Sequence, residues 1–192
     1  MNIFLDKERL KTLTDTVLLV GIVLLVYNLA TLAASDPDQF EPKTFSNTLV
    51  AYINAFIIVF MYWSLFSVVL NHIPNLDDTL FLLFLVLLVI LTLIPVANIL
   101  FLQNPNQEAD NFAAFTHIAP GILLILVMKL KRDRLDHLST TEYQYILVSL
   151  TIIPLLYSIS FVFSFYNSLL SVVIPLLVIP AFIAIGRRFH KG

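Results

Sequence analysis

The chain of 192 residues has no cysteine, and Asp, Glu, Lys and Arg together make up only 12% of it. The first absence excludes disulfides, thiolate metal sites and cysteine nucleophiles. The second excludes an ordinary soluble domain, which carries about twice that charge. Asp, Glu, Lys and Arg are also missing from the middle of every long apolar stretch after the first. Buried ionisable groups mark most transporters and intramembrane enzymes, so both classes lose their usual chemistry here. There is no Asn-x-Ser/Thr sequon, no Gly-x-Gly-Asp, no His-Glu-x-x-His and no Ser/His/Asp arrangement. No two of the 4 histidines have metal-ligand spacing. The expectation is a protein that is not an enzyme, with no catalytic residue, no resident metal or cofactor and no nucleic-acid partner.

What is present is apolar: 59% of the residues are hydrophobic. Six stretches, 10–34, 45–70, 79–102, 111–130, 142–165 and 169–189, reach the ~20 residues that a bilayer span needs. The expected fold is an all-α integral membrane protein of six transmembrane helices, a single domain over residues 1–192. The first stretch exceeds the apolar core of a typical signal peptide and is read as a retained span. Pro37 and Pro42 mark the first connection, Pro74 the second and Pro105 the third. Asp77 and Asp78 supply N-cap chemistry for the third helix. Pro95, Pro120, Pro154, Pro175 and Pro180 fall within spans, where proline is common and bends or loosens the helix.

An even number of spans places all of the 11 basic residues except Lys43 on one side, which positive-inside bias assigns to the cytoplasm. Both termini are therefore expected there. The other side holds Asp36, Asp38, Glu41, Glu108 and Asp110 against Lys43 alone. Such a rim concentrates cations, although hydrophilic outer loops carry acids for other reasons too. Short loops and the absence of a targeting tail suggest a prokaryotic inner membrane.

Inside the spans, His117 beside Thr116 and the Pro120-Gly121 break is the one histidine at depth. It reads first as a hydrogen-bonded packing residue and second as a proton relay. The first span differs from the rest. Thr12, Thr16, Val20, Val23 and Tyr27 recur at helical spacing on one face, with Leu24 at its border. Several copies of this face around an axis would form a hydroxyl-lined vestibule and then an apolar constriction, which dewets and so gates ions. The same pattern also suits simple packing or lipid contact. Gly21 beside it permits close helix approach or local bending. Arg9 and Asp15 lie about 240° apart around the helix and do not pair within it, whereas Lys11 and Asp15 can.

Arg9, then Leu13-Thr14-Asp15, resembles the Arg-x-x-x-Phe-Ser-Asp signature that opens the first helix of the transmembrane protein 175 family, the endolysosomal potassium channels and their prokaryotic relatives. Tyr52, Phe56 and Trp63 resemble that family's aromatic second helix, and Leu93-Ile94-Pro95 its exit from the third. The resemblance implies a homotetramer of six-span subunits in a lipid bilayer. The first helices would line a central pore for monovalent cations, with K+ the permeant ion. It places the apolar gate on Val20 and the other narrow positions on Val23, Leu24 and Tyr27. Arg9, Leu13, Thr14, Asp15 and Trp63 become a structural motif at the cytoplasmic end. Val23 stands where the family often has a threonine linked to potassium preference, and Phe66 where it has the first of two histidines. These departures imply weak selectivity, and the narrow apolar gate itself leaves a path for protons along transient water chains. A non-transporting scaffold subunit and a small secondary transporter are the other readings of the same composition.

Overall fold

The computed structural model describes residues 7–33, 42–73, 76–103, 106–130, 138–164 and 177–189. Every element among them is helical: α1 Lys7–Ala33, α2 Pro42–His72, α3 Asp78–Gln103, α4 Gln107–Leu130, α5 Thr140–Ser164 and α6 Val178–Phe189. Among the described residues four segments are long and apolar enough to cross a bilayer, Thr48–His72, Asp78–Phe101, Gln107–Leu130 and Thr140–Phe163. The chain is an integral membrane protein. The first helix has 27 residues, about 40 Å at 1.5 Å per residue. Residues 169–176 of the sixth expected span lie outside the described residues, as do Asp36, Asp38, Glu41, Lys131, Arg132, Arg134, His137, His190 and Lys191.

Local chemistry sets where the helices begin. Asp77 Oδ1 accepts the Leu80 amide at 2.9 Å and so caps α3. Asn106 Oδ1 does the same for α4 through the Ala109 amide at 2.8 Å. Ser139 and Glu142 form a capping box on α5: the Glu142 amide donates to Ser139 Oγ at 3.2 Å, and the Ser139 amide donates to Glu142 Oε2 at 3.0 Å.

Consecutive helices from α2 to α5 pack on one another, with α1 laid against α2 and α3 and α6 against α5. Short connections between packed neighbours give antiparallel pairs. Lipid tails are as apolar as leucine, so burial alone does not hold such helices together. Close packing and polar contacts do. Phe66 of α2 meets Phe84 of α3 edge-on at 5.0 Å between ring centres. Gly121 of α4 faces α5 so closely that an added Cβ would collide with the Pro154 ring and come within 3.1 Å of the Leu150 carbonyl oxygen. Gly21 of α1 is the opposite case, with nothing within 4 Å of such a Cβ. The expectation of close approach at Gly21 is not met within the subunit.

Polar groups add to the packing of α2, α4 and α5. The Tyr62 hydroxyl donates to the His117 carbonyl, next to the Thr116 carbonyl that Pro120 leaves without its helical donor. The His117 ring stacks on Tyr157 with centres 4.3 Å apart. The Tyr157 hydroxyl in turn donates to Asn54 Oδ1 at 3.0 Å. Replacing Gly121 with alanine is expected to destabilise the protein by about 1–3 kcal/mol, the usual range for overpacking a close contact. Thermal unfolding in detergent would measure it, and an unchanged midpoint would show that the α4–α5 contact is not tight.

Candidate permeation face on the first helix

The basic end of α1 is bound to α2 at two heights. Lys7 Nζ donates to the Asn71 carbonyl at 2.9 Å and to the Ile73 carbonyl at 3.2 Å. Those carbonyls sit where α2 runs out of amide donors, and a cation there also meets the negative end of the helix dipole. Two turns further along, Trp63 Nε1 donates to Asp15 Oδ1 at 2.8 Å. An indole N–H has no acceptor role, so it suits a carboxylate at the edge of a membrane span. Partner numbers fall on α2 as they rise on α1, the mark of antiparallel packing.

Between these ties Leu10 and Thr14 turn inward and are fully buried. The Thr14 hydroxyl donates to the Leu10 carbonyl at 2.8 Å, which lets it sit in an apolar contact. Leu13 is 42% exposed, so the two middle residues of the motif part company. Asp15 and Trp63 are brought together, while Arg9 is exposed on another flank. Asp15 finds its partner on α2, beyond the Lys11 pairing considered from helical spacing. The anchoring by Lys7 was not legible in the sequence. A lysine at a helix start carries no signal of which carbonyls it will reach.

The opposite side of α1 is bare. Val20 is 52% exposed, Val23 58% and Tyr27 63%. Thr12 and Thr16 are exposed on the same side. The side chain of Leu24 falls outside the described residues. The face expected from periodicity is therefore one that this subunit leaves uncovered. Both threonines donate their hydroxyl hydrogens backward, Thr12 to the Glu8 carbonyl at 2.9 Å and Thr16 to the Thr12 carbonyl at 2.8 Å. What they present outward is lone pairs, which attract cations. Above them the exposed side chains at 19, 20, 23 and 26 are all apolar.

Among the described residues no group of histidines and acids could hold a metal ion. His117 is buried and its Nδ1 faces the Ala113 carbonyl, while Nε2 has no partner. Replacing Trp63 with phenylalanine keeps the ring but removes the donor to Asp15. The expected result is a melting temperature lower by about 2–4 °C, the shift that roughly 1 kcal/mol gives in a chain of this length. Asp15→Asn keeps an acceptor oxygen and should lose less. Equal losses from both would mean that the bond depends on the carboxylate's charge, and no loss from Trp63→Phe would mean that the hydrogen bond does not hold the two helices.

Among curated proteins and among solved structures nothing matches the chain. Over residues 9–95, from the motif arginine through α2 to the proline of α3, the chain matches the family model of the endosomal/lysosomal potassium channel TMEM175, a family of ion channels and not of enzymes.

Proposed function

We propose that this protein is a passive cation channel whose pore is lined by α1. The observation that carries the reading is the uncovered face of α1, polar at its basic end and apolar above, within the stretch matched to a potassium channel family. Six spans per subunit, four subunits around an axis and both termini in the cytoplasm complete the proposal. The membrane is a prokaryotic inner membrane in this reading.

Four copies of α1 would ring a vestibule with the outward lone pairs of Thr12 and Thr16. A hydrated cation entering it keeps partners for its charge. At Val20 and Val23 it meets apolar walls, with Leu24 at the border and Tyr27 beyond. A narrow apolar ring empties of water, and an ion that sheds its shell there gains nothing in return. That is a hydrophobic gate. Val23 offers no hydroxyl, so potassium is favoured only weakly over sodium, and transient water chains pass protons. Coupled transport has little support, because His117 is stacked on Tyr157 in the packed interior rather than on a free face.

The test is ion flux into vesicles holding the purified protein alone, under potassium, sodium and proton gradients. Val20→Asn wets the ring and is expected to raise flux about tenfold, equivalent to ~1.4 kcal/mol off the barrier. Val20→Ala should act in the same direction by widening it. Flux that ignores both changes in folded oligomers would remove the gate from Val20. No flux from any form would leave the scaffold reading.

A further inference from the structure

On α2, Tyr52, Phe56, Phe60 and Trp63 form a ladder of rings, with successive centres 6.4, 6.3 and 5.7 Å apart. Between this ladder and α1 runs a half-open groove of about 270 Å³. Its walls are Leu18, Leu19 and Ile22 on one side and Phe56, Val59 and Phe60 on the other. Asp15 and Trp63 close its basic end, their polar atoms joined to each other. The lining is thus apolar, and its one carboxylate is already partnered. Lys11, half-buried, lies one turn before Asp15 on the flank of α1 that faces the groove. It stands about 10 Å along the helix from Leu18.

We propose that this groove binds one acyl chain of an anionic phospholipid, with the headgroup phosphate on Lys11. The groove lies alongside α2, a bilayer-length helix, so what enters it comes from the apolar phase. An unbranched hydrocarbon chain fits it. The ammonium at one end supplies charge complementarity for an anionic headgroup, and an empty groove would forfeit dispersion contacts on both walls. The site rests on the geometry of α1 and α2 and not on the channel reading, so it stands or falls without any flux measurement.

Trp63 is the only tryptophan of the chain and lines the groove, which makes its fluorescence a direct reporter. The folded oligomer is placed in phosphatidylcholine vesicles containing a minor fraction of phosphatidylglycerol brominated at mid-chain. The expected result is loss of most Trp63 emission at bromolipid fractions where random contact quenches little. Lys11→Gln should shift the curve to higher fractions of the anionic lipid. Ile22→Phe, which narrows the groove, should restore emission. Quenching no stronger than with brominated phosphatidylcholine, and unchanged in both variants, would overturn the proposal, since Trp63 would then see only bulk lipid. No quenching by either lipid would also overturn it and would mean that another copy covers the groove.

Discussion

The bond between Asp15 and the Trp63 indole fixes more than one contact. A helix is rigid about its axis, so fixing one residue's azimuth fixes all the others. With Asp15 turned toward α2, Val23 sits about 80° and Val20 about 140° around the helix from it. Both are thereby turned away from α2. Leu10 and Thr14 come round to the buried side, where both are fully enclosed. Lys7, held by the carbonyls at the end of α2, adds a second point and so sets tilt as well as rotation. A span carrying a carboxylate near its mouth needs a reason to tolerate it. Here the carboxylate is met by the indole N–H of α2, and in that arrangement Val20 and Val23 are exposed.

The interior follows the same rule by different means. Tyr62, His117, Tyr157 and Asn54 link three helices through donors and acceptors that would be costly if left alone in a bilayer. The Nδ1 of His117 faces a carbonyl, so that nitrogen carries the proton and Nε2 is an acceptor without a donor. The imidazole is buried and stacked flat against Tyr157.

How much of this was legible beforehand depended on whether the determinant was local. The bounds of α1 to α5 were, within a few residues, because hydropathy and caps such as Asp77 are read along the chain. The uncovered face of α1 was legible from the spacing of Thr12, Thr16, Val20, Val23 and Tyr27, since exposure follows the same period. The capping roles of Asn106 and of Ser139 with Glu142 are local too, written in side chains three residues ahead of the amides or carboxylate they meet. Contacts across helices were not legible. Nothing in the order of residues says that Lys7 reaches the end of α2, or that Gly121 rather than Gly21 marks a close approach. Those facts belong to three-dimensional packing, which no periodicity encodes.

The division of labour along α1 bears on selectivity. Discrimination between ions requires ligands that replace water in a defined number and geometry. The valines supply none, so on the channel reading the ring decides whether ions pass and not which. What remains to discriminate is the vestibule, where Thr12 and Thr16 have committed their hydrogens to the backbone. Oxygen lone pairs in that setting repel anions and stabilise any small monovalent cation. Side-chain hydroxyls on an open face are also too far from a dehydrating fit to rank potassium against sodium strongly. On that reading, weak cation selectivity and a firm barrier to hydrated ions would be two consequences of one arrangement: acceptors at the basic end of the α1 face, and apolar carbon above.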